Sequence, residues 1–214
     1  MTEVRQDASV PSQYDTWAQI YDLLWRRYMN RTLPVAQQTA AVRPGEKVLD
    51  LACGTGELLR RIAAETPGAK LTGVDLAPKM VERARRKLDE VPNVHVEEAD
   101  AHDLPFAAGD FDVVVCASTF HYFTRPETVL AEARRVLRPE GRLIVLDWCR
   151  DFWTCRLMDG VLRCVDPAHA TCYTLDELTT LLARTAFDVF DPFRYRFDLV
   201  WGMMVVVARP APHS

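Results

Sequence analysis

From Lys47 onward the sequence alternates short apolar runs with stretches of helical periodicity, and this alternation leaves few folds open. Candidate strands fall at 47–51, 70–74, 94–97, 111–116, 142–147, 187–190 and 203–208. Runs such as Val113-Val-Val and Leu143-Ile-Val-Leu have no polar face, which suits strands buried on both sides of a parallel sheet. Helical stretches lie between them at 57–65, 78–90, 126–137 and 174–184. Pro78 and Pro126 fall in first turns, where a missing N–H costs nothing, and Thr124 is the expected N-cap of the second. Thr174-Leu-Asp-Glu177 reads as a capping box. The pattern predicts an α/β fold with a doubly wound sheet. The stretch 191–200 has no room for a crossover helix, so the last two strands should pair antiparallel.

A chain of 214 residues, 49% hydrophobic and 26% charged, can bury one sizeable core. A net charge of −4 with no long basic block argues against a dedicated nucleic-acid binder. The N-terminus has no apolar core suited to a secretory signal, and the longest apolar runs are too short to span a bilayer. A cytoplasmic protein without an integral membrane segment is expected; oligomeric state is left open. Cys53, Cys116, Cys149, Cys155, Cys164 and Cys172 form no CxxC pair and match no common zinc spacing, so reduced thiols and no metal are expected. The last four read as apolar filler on a helix and loop, the alternative being a thiol that touches substrate or metal. Ahead of the sheet, residues 14–42 are helical in character, with Tyr14, Trp17, Tyr21, Trp25 and Tyr28 at steps of three and four. That face either packs on the sheet or closes over a pocket. Residues 1–42 are accordingly read as a helical lid within the same domain, and 43–214 as the core.

The sharpest local signal is Val48-Leu-Asp-Leu-Ala-Cys-Gly-Thr-Gly-Glu57, a buried strand, a glycine turn and a helix start. Gly54 and Gly56 let the chain turn tightly and let a ligand approach the backbone, and the helix N-terminus offers unpaired amides. A dinucleotide loop normally has a third small residue where this chain has Leu59, and no P-loop lysine is present. Asp50, just before the turn, suits an ammonium or sulfonium ligand and opposes a pyrophosphate. Asp75 ends the next strand, where an acid can take both ribose hydroxyls, with Leu76 placed to pack on a purine. Asp100 follows the third strand and could accept from an exocyclic amine. Each acid alone fits a solvated loop; three at successive strand ends mark the edge where such sheets bind ligands.

At these residues the chain resembles the class I S-adenosylmethionine (SAM)-dependent methyltransferases, and within them the ubiquinone/menaquinone-biosynthesis type. The resemblance is carried by VLDLACGTG (48–56), GVDLAPKM (73–80), EADAHDLPFAAGDFDVVVCAS (98–118) and LRPEGRLIVLDW (137–148), and it runs from about Tyr14 to Leu146. It implies a Rossmann-like seven-stranded sheet in the order 3-2-1-4-5-7-6 with the last strand antiparallel. It implies Asp50 and the loop residues Ala52, Cys53, Gly54 and Gly56 around the methionine part of SAM, Asp75 on ribose, and Asp100 with Ala101 on adenine. Cys116 and Ser118 would lie along the methionine chain, and Tyr14 and Tyr21 match aromatics that cap the cofactor. Quinone-methylating relatives usually carry a longer insert than the stretch 147–173, so the substrate does not carry over.

Methyl transfer from a sulfonium needs nucleophile, carbon and sulfur in line, and a base only where the nucleophile must lose a proton. His121, following the fourth strand, is the candidate base or substrate-orienting group; the alternative is a histidine bonded within its loop. Trp17, Asp147, Trp148, Trp153, Arg156, His169 and Tyr173 are further pocket candidates. The expected activity is methyl transfer from SAM, giving S-adenosylhomocysteine, to a small, partly apolar organic acceptor. Arg26, Arg27 and Arg31 would suit a peripheral membrane contact and a phospholipid or amine acceptor. An NAD-dependent oxidoreductase and an inactive SAM-binding partner subunit are the alternatives outside the class.

Overall fold

A computed structural model of the chain describes residues 25–165 and 169–212. Tyr14, Trp17 and Tyr21 therefore lie outside the described residues. Helix α1 (Arg26–Ala40) leads into β1 (Lys47–Leu51), α2 (Glu57–Glu65), β2 (Lys70–Asp75), α3 (Pro78–Leu88), β3 (Val94–Glu98) and β4 (Phe111–Ala117). A single 3-10 turn (Phe120–Tyr122), α4 (Pro126–Val136), β5 (Leu137–Trp148), α5 (Trp153–Val165), α6 (Leu175–Arg184), β6 (Phe187–Arg196) and β7 (Gly202–Pro210) follow.

The seven strands form one sheet in the order β3-β2-β1-β4-β5-β7-β6. The pairs from β3 across to β5 are parallel. β7 runs against both neighbours, as the short β6–β7 connection requires. Alternate residues feed two apolar layers. Leu49, Leu51, Val114, Cys116, Leu143 and Val145 pack with α4 and α6 on one face. Val48, Val113, Val115, Ile144 and Leu146 pack with α1, α2 and α3 on the other. Each fully buried valine or leucine stabilises the fold by about 1.5–3 kcal/mol, so these central strands have no solvent-facing alternative. The crossover direction reverses between β1 and β4, and the crevice beyond their C-terminal ends is where such sheets hold ligands.

The capping box at Thr174 and Glu177 is present, with both reciprocal bonds. Thr124 is not the cap of α4: Arg125 occupies that position and contributes no side-chain cap. β6 runs to Arg196, past the expected 190, across a register shift between Phe190 and Phe193, where Asp191 takes a left-handed φ of 43°. The stretch 147–173 contains the three-turn helix α5, whose limits the sequence pattern did not mark. Asp159 and Cys155 face inward on α5, while Trp153, Leu157 and Val161 stay exposed. No helix among the described residues is long and apolar enough to cross a membrane.

Candidate functional site

Two cavities open beyond the C-terminal ends of β1, β2 and β4, and they share Ala52, Gly54, Ser118 and Thr119. The shared wall is built from unusual backbone. Ala52 and Ser118, each just past its strand, have φ of 53° and 61°, a left-handed conformation that non-glycine residues rarely adopt. Such strain persists only where surrounding bonds hold it. The Ser118 amide donates to Leu146 O at 2.7 Å, and its hydroxyl lies 2.7 Å from the Tyr28 hydroxyl. Trp148 Nε1 in turn donates to Tyr28 Oη at 2.9 Å, so α1, β4 and β5 are tied at one point.

The glycine loop is tied to β2. Cys53 N donates to Val74 O at 2.9 Å, and Gly54 N donates to Asp75 Oδ2 at 2.8 Å. The other carboxylate oxygen accepts from Ala77 N at 2.9 Å. Asp75 thus accepts one backbone N–H on each oxygen, which fixes the direction in which its carboxylate faces the cavity. A Cβ at Gly73 would stand 2.6 Å from Leu59 Cδ1 and 2.8 Å from Cys53 Sγ, so only a bare position lets the loop lie this close to β2. Lys87 Nζ, donating to Thr55 Oγ1 at 2.8 Å, ties the loop to α3 as well.

The first cavity is lined by Asp75, Leu76, Met80, Asp100, Ala101, His102, Tyr122 and Phe123 among others. Asp100 Oδ1 accepts from the His102 amide at 2.9 Å and lies 2.7 Å from His102 Nδ1. The second cavity is lined by Tyr28, Met29, Leu33, Asp50, Cys53, Thr55 and Glu57 among others. Asp50 is 3% exposed. Burial, with the Asp75 carboxylate adding to it, pushes its pKa up to about 8. Burial, reinforced by Asp75 and Asp50, also pushes the Cys53 thiol up, and the Cys116 thiol is pushed up by burial, then by Asp147 and Asp50. Neither thiol is a thiolate nucleophile at neutral pH.

The structure brings Asp50, Ala52, Cys53, Gly54, Asp75, Leu76, Asp100, Ala101 and Ser118 to the two cavities. Gly56, with φ of 75°, shapes the loop from behind, and Cys116 is buried within β4. The substrate-side expectations scatter. His121 is 2% exposed and lines neither cavity. Its Nδ1 lies 2.7 Å from Asp147 Oδ1, its amide donates to Asp147 Oδ2 at 2.8 Å, and its ring stacks on Trp148 with centroids 4.3 Å apart. Its carbonyl accepts from both Ala170 and Thr171, which bury it beneath the segment after α5. His169 is buried against Asp159, Trp153 and Arg156 face outward on α5, and Tyr173 pairs with Cys149 in a short bridge. Sequence reasoning missed Thr119, Tyr122 and His102 as wall residues and Tyr28 as the partner of Ser118. Tyr28 was visible only as one ring in an aromatic series.

Residues 48–141 match the family model described as a methyltransferase domain. The demethylmenaquinone methyltransferase of Thermus thermophilus is 44% identical over 128 residues, covering 59% of this chain and 55% of that protein. The malonyl-[acyl-carrier protein] O-methyltransferase of Geobacter sulfurreducens is 39% identical over 130 residues, covering 61% and 46%. The chain spans about half the length of these curated relatives. Among solved structures, a Haloferax volcanii methyltransferase in complex with its Trm112 activator superposes with a TM-score of 0.82 at 20% identity, covering 93% of this chain and 98% of that one. The fold is shared, and the resemblance to class I SAM-dependent methyltransferases of the ubiquinone/menaquinone type rests on relatives as well as on motifs.

Proposed function

We propose that this chain, whose residues 48–141 carry the methyltransferase domain, is an enzyme that methylates a small, partly apolar organic acceptor with SAM as donor. The observation that carries the reading is the pair of acids flanking the shared wall: Asp75 in the first cavity and the buried Asp50 in the second. A carboxyl buried at the second cavity favours a cationic ligand and disfavours a pyrophosphate. Small residues Ala52, Gly54, Ala77 and Ala101 leave room against the walls, so the donor set and the space both fit an adenosyl amino acid.

The sulfonium, when bound, supplies an activated methyl group. Asp75 would take ribose hydroxyls, Asp50 would face the α-ammonium, and Asp100 with Ala101 would meet adenine. Tyr28 and Ser118 hold the wall between the two halves. Residues 1–42 are read as a lid, of which α1 is the described part. His121 lines neither cavity, and its amide and Nδ1 contacts with Asp147 hold the turn that carries Tyr122, so its part is to orient that turn. A second reading, a phospholipid amine acceptor, is favoured by exposed Trp153, Leu157 and Val161 beside exposed Arg156 and Arg163. Methyl incorporation into amine-headgroup vesicles and into soluble phenols or quinols separates the two.

The deciding measurement is calorimetry with S-adenosylhomocysteine and with NADH. Saturable binding of the first alone is expected. Binding of NADH with none of the first would remove the methyltransferase reading, and binding without turnover on any acceptor would favour a partner subunit.

A further inference from the structure

Behind the lining of the two cavities, α5 and the residues 169–172 bring three unlike side chains together. The Asp159 carboxylate, the His169 imidazole and the Cys172 thiol are all buried, and one ligand atom from each lies within 4.8 Å of the others. His169 Nε2 is 2.8 Å from Asp159 Oδ1, and the Cys172 amide donates to that same oxygen at 2.8 Å. Asp159 Oδ2 faces Arg163 at 3.1 Å and Arg150 at 3.9 Å. One carboxylate oxygen therefore serves the cluster and the other serves the guanidinium groups.

A second buried acid, Asp147, adds negative charge near the cluster. Asp147, 1% exposed, is bonded by the His121 and Trp148 amides and by the His121 ring, with no lysine or arginine paired to it among the described residues. The Nδ1 of His169 has no partner among the described residues, so its proton can occupy either nitrogen without breaking a second bond. A nitrogen, an oxygen and a sulfur donor at one buried point form the mixed set that zinc accepts and that magnesium or calcium, which prefer all-oxygen sites, do not.

We propose that Asp159, His169 and Cys172 bind a divalent cation of the zinc class. Binding displaces the thiol proton to solvent and moves the imidazole proton from Nε2 to Nδ1. The cation then faces one thiolate, one carboxylate and one neutral imidazole, which balance its two charges. Three protein ligands leave one coordination position over. Its structural consequence follows from the backbone: Ala170 and Thr171 clamp His121, so a cation that fixes His169 and Cys172 to α5 also braces the loop carrying Tyr122. The inference does not depend on methyl transfer.

The test uses the full chain after chelator treatment, titrated with Co2+ as a spectroscopic probe and with Zn2+ against a chromophoric chelator. One equivalent of Co2+ with a sulfur-to-metal charge-transfer band is expected, together with a rise in Tm on adding Zn2+. Cys172→Ser should remove the band and weaken Zn2+ at least about tenfold, while Cys164→Ser, an exposed control, should do neither. No band in the parent chain, or an equal band in Cys172→Ser, overturns the proposal. If Cys172→Ser does not fold, His169→Gln is read the same way by Zn2+ affinity, and unchanged affinity there overturns it.

Discussion

Asp50 gives the proposed site a pH dependence of predictable sign. Its carboxyl holds its proton up to a pKa of about 8, chiefly because it is buried and secondarily because Asp75 is near. A ligand with an α-ammonium group binds the carboxylate form, so it must expel that proton. At pH 6 only about one molecule in a hundred has Asp50 ionised, against about half at pH 8. Affinity for S-adenosylhomocysteine should therefore be about 50-fold weaker at pH 6 than at pH 8, and binding at pH 6 should release close to one proton. Calorimetry in two buffers of different ionisation heat reads both quantities. Asp50→Asn should flatten the profile. The ligand-free fold should show the opposite trend. The unfolded chain releases this proton near pH 3.8, so Asp50 makes stability fall as pH rises from there to about 8, by about 1.4 kcal/mol per unit. Above that pH its contribution is constant. A flat affinity profile in the parent chain, or the same slope in Asp50→Asn, would refute this reasoning.

Two further substitutions probe the walls. Asp75→Asn leaves one acceptor oxygen where Gly54 and Ala77 each need one, so an N–H must face an N–H. It should cost about 1–3 kcal/mol by urea denaturation and weaken S-adenosylhomocysteine at least about tenfold; no change in either would remove the assigned geometry. Tyr28→Phe keeps the ring but takes away the hydroxyl that meets Ser118 and Trp148, and should cost about 1–3 kcal/mol by thermal denaturation. A melting temperature equal to the parent's would mean that Ser118 keeps its backbone without that contact.

What the sequence disclosed was local. β1, the glycine loop, Asp75 and the capping box at Thr174 are each set by fewer than about ten contiguous residues, where period, turn chemistry and capping act. What it hid depended on distant partners. Tyr28 meets Ser118 across 90 positions of sequence, a contact no periodicity encodes. In sequence His121 reads as a base, a substrate-orienting group or a loop-bonded histidine; its burial depends on residues after α5, the Ala170 and Thr171 amides that find its carbonyl. The cluster at Asp159 escaped notice for a related reason. Its donors are spread over a helix and the segment beyond it, and the cysteine spacing that announces compact zinc sites is absent.

Gly73 belongs to β2, yet its missing side chain sets how low the loop after β1 can ride. Grafting VLDLACGTG onto another sheet would not reproduce the binding edge unless the adjacent strand also offered a bare position opposite Asp50. The recognisable signature and its silent counterpart must be inherited as a pair, and comparisons that score only the signature overlook half of what shapes the edge.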